Sequence, residues 1–450
     1  MFISKLTLIA FWNTISMKSK FFMEELSFNQ KSFVITLQIL RIIFTPIALI
    51  IFLLYLFHTI IEEILHYFPR FRGWFDTRIS IRKLNIVTTG GTGGHLFPAI
   101  NFASECNQEN RMILISDTNS ISMISKRNLV KKRFLTSTIN SPTGSILSLT
   151  LPILPLRKHV KSFFYLGISM LKSLMYFIFY GFLFRKVIGF GGYASFPTLF
   201  WAVILRKPIF LHEQNAIFGK VNLIFAIFSK KIFTFFPVNS NLHNVYNVGM
   251  PLSEAISSKP RIIKREKTDK IQLLIISGSS GGAESVKSIL PAVINFSRKH
   301  KNIHVMHQAG ESIAQEIRDR YAKHQISCEV KPFFDGIYDI LPKIDLCISR
   351  SGASSIVDLL AFGIPTIFIP LRTSADDHQI KNANWIVQNH LGFLHKPWES
   401  NSYNLTALMH LCASQSFMEQ TGYLCQLAIK RSASERISEE MFGNISDYYA

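Results

Sequence analysis

Cysteine is scarce in this chain of 450 residues: Cys106, Cys328, Cys347, Cys412 and Cys425 are odd in number, scattered and without CxxC spacing. That pattern excludes a cysteine metal centre and a disulfide framework, and it fits a reduced, cytosolic protein. Acidic residues are also few, 29 against 49 Lys and Arg, and the deficit is local. Residues 84–249 carry 17 basic and 4 acidic side chains, a net +13, whereas residues 250–450 come to +2. A basic half suits nucleic acid or an anionic membrane surface. RNA-binding motifs, helix-turn-helix patterns and zinc-finger spacing are missing, and apolar runs interleave with the basic residues. The membrane is therefore the favoured partner, and nucleic acid is not expected; a lysine-rich solubilising surface is the plain alternative. The chain has neither the Gly-Lys-Ser/Thr of a P-loop nor an Asp-x-Asp metal-diphosphate signature, so no metal and no cofactor is expected.

What is present centres on Leu84 to Ala99, LNIVTTGGTGGHLFPA. Leu84–Thr89 is apolar and β-branched, as a buried parallel strand requires, and Gly90, Gly91, Gly93 and Gly94 then break it. A helical pattern follows from about Pro98, whose fixed φ suits a first turn. Such a loop removes the Cβ atoms that would hold a ligand off the backbone, and it aims free N–H groups and a helix N-terminus at one place, as a phosphate or diphosphate requires. By itself it fits a plain tight turn equally well. The GxGxxG spacing is imperfect, and no acidic residue closes the next strand cleanly. His95 tips the balance by setting an acid/base side chain at the mouth of the loop.

Ahead of this stretch, residues 1–83 read as an N-terminal extension. Ile42–Ile61 is twenty residues without a formal charge between Arg41 and Glu62-Glu63, about the length that crosses a bilayer core. A span or a deeply inserted helix is expected there, against an interfacial helix or residues upstream of a later start at Met17 or Met23. The first sixteen residues have Lys5 ahead of an apolar run but no small-residue cleavage site.

From Leu84 onward strand, loop and helix alternate. Strands are expected at 84–89, 111–116, 187–192, 208–211, 271–276, 303–308, 328–333, 345–349 and 366–370. Ile146–Phe164 reads as an apolar, proline-broken loop running into Arg157, Lys158, His159 and Lys161, and Phe163–Phe184 as a helix covering the sheet. His212-Glu213-Gln214-Asn215 bunches four polar groups at the end of a buried strand, where an open parallel sheet places ligands. Ser277–Gly282 and Arg350–Ser355 repeat the small-residue loop at a helix start, with Asp358 within the first turn or so. The domains are expected at 84–250 and 251–450, with a lysine-rich linker at 259–270.

In combination, GGTGGHLFPA (90–99), GFGGYASFP (189–197), HEQN (212–215), SGSSGG (277–282), SRSGASSIVDL (349–359) and DHQIKNA (377–383) resemble the MurG family of glycosyltransferases, over about Leu84 to Trp398. That resemblance implies an α/β fold of two Rossmann-like domains facing a cleft, the GT-B architecture, behind the apolar extension. It implies an inverting transfer of N-acetylglucosamine from UDP-N-acetylglucosamine to lipid I, giving lipid II for peptidoglycan, at the cytoplasmic face of the bacterial inner membrane. The first domain would take the lipid-linked acceptor and the second the donor. Carried over by motif, Thr92, Gly93 and Gly94 lie beside the diphosphates and His95 is the candidate base. Asn215 and Gln379 bond the donor sugar, Ser279 contacts the donor diphosphate, and Phe334 sits at the uracil. Ala353, Ser354, Ser355, Ile356 and Val357 line the nucleotide, and Asp358 binds the ribose.

Two positions depart from the family pattern. Ser253 stands where an arginine is common after the inter-domain turn, without its charge or fork geometry. Asp358 is one methylene shorter than the usual glutamate. Another nucleotide-sugar enzyme of the same architecture, or a non-catalytic membrane scaffold, is the alternative reading.

Overall fold

The structure, a computed structural model, describes residues 84–90, 93–106, 112–118, 120–121, 135–138, 156–180, 184–238, 240, 242–260, 262, 270–276, 288–399 and 404–443. The candidate membrane segment 42–61, Thr92 and Ser279 lie outside them. Contacts divide the chain into a first unit, running to Gln214 with Phe218–Pro251 and the chain from Ser432 onward, and a second of Asn215–Ile217 and Leu252–Arg431. The reading of 251–450 as one domain differs from this at its end, because the last helix returns to the first unit.

The first unit contains β1 (Leu84–Thr88), β2 (Met112–Ser116), β3 (Leu135–Thr138), β4 (Phe184–Gly189), β5 (Ile209–Glu213), β6 (Lys231–Thr234) and β7 (Val245–Asn247). All pair in parallel, in the order β3-β2-β1-β4-β5-β6-β7. Their apolar residues face both ways, as strands covered by helices on two sides must. Ile86 packs with Phe177, Leu199 and Trp201 on one face, and Val87 with Phe102, Ile188, Ile437 and Met441 on the other. Burying each such side chain contributes roughly 1.5–3 kcal/mol. The order reverses between β1 and β4, so their C-terminal ends make the crevice where sheets of this kind bind ligands.

Helix α1 (Gly93–Cys106) starts five residues earlier than the sequence suggests, and Pro98 lies inside it. The glycine loop is thus shorter than expected, and Pro98 has no N–H to return to the first turn. Helix α2 (Leu156–Tyr180) takes in Arg157, Lys158, His159 and Lys161, which the sequence reading left in a loop. It buries Ser169, Ser173 and Phe177, one residue per turn, and turns Leu171, Met175 and Ile178 outward, 60%, 41% and 46% exposed. Helix α3 (Phe196–Ile204) lies against it, with Trp201 Nε1 donating to the Met170 carbonyl at 2.8 Å. The last helix, Ala433–Phe442, is fastened to the first unit by a Lys231–Glu440 ion pair and a bond from Lys186 to the Met441 carbonyl.

The second unit holds β8 (Ile271–Ile276), β9 (Ile303–Gln308), β10 (Ser327–Lys331), β11 (Leu346–Ser349), β12 (Thr366–Phe368) and β13 (Phe393–Leu394). These are parallel in the order β10-β9-β8-β11-β12-β13 and reverse between β8 and β11. The sequence reading leaves out β3, β6, β7 and β13, which are two to four residues long and too short to carry a period. It also starts β4 three residues late, at Val187 rather than Phe184, because Arg185 and Lys186 hide the apolar pattern.

At the reversal in the first unit two backbones touch. Gly192 has φ +79, and a Cβ there would lie 1.9 Å from the Gly90 carbonyl oxygen. Gly192→Ala should therefore cost at least about 2 kcal/mol of stability, from the left-handed backbone and the clash together. Urea unfolding of the two proteins measures this, and an unchanged midpoint would refute the close approach.

Candidate functional site

In the first unit the site grows from the ends of β1, β2, β4 and β5. Gly93, Gly94 and His95 form the opening turn of α1, so His95 is placed by the helix that follows β1. Its Nδ1 lies 3.0 Å from the Phe190 carbonyl oxygen, just past β4, and 2.7 Å from Gln214 Oε1, just past β5. Gln214 Nε2 in turn donates to His212 Nδ1 at 3.0 Å and to the His212 carbonyl at 3.1 Å. His212 Nε2 donates to the Gly249 carbonyl at 2.9 Å. Burial lowers the His212 pKa to about 4, against the Gly249 bond, which raises it, and with His95 adding a smaller lowering. Glu213 is fully buried, and its carboxylate accepts from Gly219 N at 2.9 Å and Asn222 Nδ2 at 2.8 Å.

The expectation that no acidic residue closes the second strand is wrong. Asp117 follows β2 directly, is fully buried, and accepts from Ser120 N at 2.9 Å and Ser120 Oγ at 2.8 Å. Its carboxylate stands against the glycine loop, since a Cβ on Gly90 would come within 2.6 Å of Asp117 Oδ2.

In the second unit the candidates gather around the ends of β11 and β12. Helix α4 (Ala353–Ala361) starts one residue past Gly352 and presents its first N–H groups at the end of β11. Ala353, Ile356 and Val357 are buried, so their backbone is what a ligand could meet; Ser354 and Ser355 are half-buried. Asp358 lies in the second turn rather than the first. Its Oδ1 accepts from the Tyr338 hydroxyl at 3.3 Å. Burial raises its pKa to about 7, with the Tyr338 bond pulling the other way. Ser253 also meets the Tyr338 hydroxyl, whose own pKa is raised by burial first and by Asp358 second. Phe334 is buried in the loop after β10.

Gln379 is the second residue of helix α5 (His378–Gln388), and its Oε1 accepts from Leu371 N at 2.9 Å while its carbonyl accepts from Ser351 Oγ at 2.8 Å. Asn382, one turn on, is fully buried and joins three segments. Its Nδ2 donates to Asn215 Oδ1 at 3.1 Å and to the Ser351 carbonyl at 3.0 Å, and its Oδ1 accepts from Ala216 N at 2.8 Å. Asn215, Gln379 and the Ser351 loop are thereby brought together. Asp376 and Asp377, just before Gln379, have φ of 51° and 55°, a left-handed strain of the kind found at ligand clamps. Sequence reasoning missed Asn382 and Tyr338 as site residues. It marked His212 and Gln214 only as members of a polar cluster at a strand end, without the bonds that link them to His95.

Comparison with known proteins identifies the family of both halves of the chain. Residues 85–234 match the Glycosyltransferase family 28 N-terminal domain and residues 272–436 the Glycosyltransferase family 28 C-terminal domain. The chain is 32% identical over 378 residues to a UDP-N-acetylglucosamine--N-acetylmuramyl-(pentapeptide) pyrophosphoryl-undecaprenol N-acetylglucosamine transferase of Francisella tularensis subsp. holarctica, covering 80% of this chain and 97% of the relative. A transferase of the same name from Rickettsia canadensis is 32% identical over 321 residues, 69% of this chain and 85% of its own length. Among solved structures, Acinetobacter baumannii MurG superposes with a TM-score of 0.60 at 22% identity, covering 80% of this chain and 99% of that one, a likeness of fold.

The raised Asp358 pKa carries a sign that can be measured. Its folded value, about 7, exceeds the unfolded one of roughly 3.9, so the ionised carboxylate is disfavoured by folding. This group's contribution to stability is complete below about pH 4 and is lost as pH rises through about 7. Denaturant unfolding of the wild type against Asp358→Asn should show the wild type's relative stability declining over that window. A flat difference would refute the burial assigned to the carboxyl.

Proposed function

This chain belongs to glycosyltransferase family 28, and on that premise we propose that it transfers N-acetylglucosamine from UDP-N-acetylglucosamine to the muramoyl 4-hydroxyl of lipid I, yielding lipid II for peptidoglycan. The observation that carries the reading is 32% identity across 97% of the length of a transferase with that donor and acceptor in its name. The His95 arrangement supports it chemically. In one inverting displacement the acceptor oxygen bonds to the anomeric carbon as the bond to UDP breaks, and the hydroxyl proton passes to His95 Nε2. No protein nucleophile is required. Gly93 and Gly94 hold the acceptor diphosphate on the N-terminus of α1, together with Thr92, while Ser279 and Ala353–Val357 hold the donor diphosphate and nucleoside. Asp358 accepts from the ribose hydroxyls, Phe334 meets the uracil, and Asn215 and Gln379 bond the sugar. Ser253 supplies no cation to the departing diphosphate, so that stabilisation falls to backbone N–H groups.

The same reading puts the first unit on the cytoplasmic face of the bacterial inner membrane. Among the described residues no helix is long and apolar enough to cross a membrane, and residues 42–61 are the candidate anchor. The outward row Leu171, Met175 and Ile178 on α2, in a region of net +13, suits an anionic lipid surface. Replacing Leu171 and Ile178 together by Glu should weaken binding to anionic vesicles at least about tenfold in a flotation assay, with UDP binding unchanged. Equal flotation would remove α2 from the membrane contact.

His95→Ala tests the chemistry. Turnover with lipid I should fall on the order of 10²-fold while the KM for UDP-N-acetylglucosamine stays within about twofold. Near-normal turnover would take His95 out of the reaction.

A further inference from the structure

We infer that Gln214 and His212 are positioning residues that hold His95 as its Nδ1–H tautomer and so leave the lone pair on Nε2; this rests on His95 being the base proposed above. The chain of bonds starts at the Gly249 carbonyl. A carbonyl can only accept, so the nitrogen 2.9 Å from the Gly249 oxygen, His212 Nε2, carries the hydrogen. Fully buried, with its pKa pulled to about 4, the His212 ring is neutral near pH 7, and its Nδ1 is therefore bare. Bare Nδ1 at 3.0 Å and the His212 carbonyl at 3.1 Å both accept from the same nitrogen of Gln214. That fixes which way the amide faces and turns Oε1 toward His95.

His95 Nδ1 then meets two oxygens, Gln214 Oε1 at 2.7 Å and the Phe190 carbonyl at 3.0 Å, and a nitrogen between two acceptors carries the hydrogen. Phe190 acts at both ends, because its ring stacks on His212 with centroids 5.1 Å apart. The Gly249 carbonyl is held as well: Gly249 N bonds the Thr234 oxygen at 3.1 Å, and its φ of +98 is open to glycine. Every donor in the series has one direction, and none of it calls for Gln214 or His212 to touch the substrate. In water a histidine side chain favours the Nε2–H form, which would offer the acceptor hydroxyl a hydrogen where a base needs a lone pair.

Nitrogen NMR of the full-length protein with ring-15N histidine reads the tautomer without turnover, His95 being assigned by its loss in His95→Gln. The wild type should show protonated Nδ1 and bare Nε2 near neutral pH. Gln214→Met keeps the side-chain volume and removes the amide; it should move His95 toward the Nε2–H form and lower kcat about tenfold, with donor KM within about twofold. Gln214→Glu, protonated in so dry a place, offers C=O and O–H where the amide offers C=O and N–H, and should restore the Nδ1–H form. If Gln214→Met fails to fold, His212→Phe, which retains the stack on Phe190, replaces it with the same expected direction. An Nε2–H ring in the wild type, or a tautomer unmoved by Gln214→Met or by His212→Phe whatever their kcat, overturns the inference. Full turnover in His95→Ala would instead overturn the base assignment and leave the tautomer result standing.

Discussion

Where β1 and β4 end side by side, backbone runs against backbone, and only residues without Cβ atoms permit it. The Gly90 carbonyl occupies the place a Gly192 side chain would take, and a Cβ on Gly191 would lie 3.2 Å from His95 Nδ1. This approach brings the Phe190 carbonyl within reach of His95. A histidine on the first turn of a helix acquires a defined orientation only because the neighbouring strand's exit loop is this close. The order reversal of the parallel sheet makes the opening, and in the proposed reading the glycines fit it to a diphosphate.

The second unit meets the same topological demand with different chemistry. Its loop after β11 is Arg350-Ser351-Gly352, and Asn382 supplies through three side-chain bonds the cohesion that backbone proximity supplies in the first unit. Asp358 is the costly element. A carboxyl with its pKa raised to about 7 is poorly solvated, and hydroxyl donors relieve that. The Tyr338 hydroxyl offers one at 3.3 Å, and ribose hydroxyls are the natural others in the proposed reading.

Much of this was legible in the residues. Strands 84–88, 271–276 and 303–308 are long and apolar enough to announce themselves, and the small-residue loops at strand ends marked both reversals. The short strands β3, β6, β7 and β13 were not legible, since their pairing is decided by neighbours far away in the chain. The start of α1 was misread because proline suits a first turn by propensity, while tertiary packing carries this helix through Pro98. At the candidate site His95, Asp358 and the polar cluster 212–215 stood out in the sequence, whereas the contacts of Gln214, His212, Asn382 and Tyr338 depend on partners up to 167 residues distant, as in the Asn382–Asn215 bond. Asp117 does not stand out in the sequence, because what sets it apart is its place against Gly90 at the exit of β1.

In the proposed reading these features serve a transfer without a covalent intermediate, in which oriented backbone, one neutral buried histidine and His95 as base do the work. Transfer of radiolabelled N-acetylglucosamine from UDP-N-acetylglucosamine to purified lipid I by the full-length protein tests this most directly. The account predicts a labelled lipid-linked disaccharide, inverted at the anomeric carbon. Label that stays on the donor although UDP binds, or that passes to a diacylglycerol acceptor instead, would contradict it.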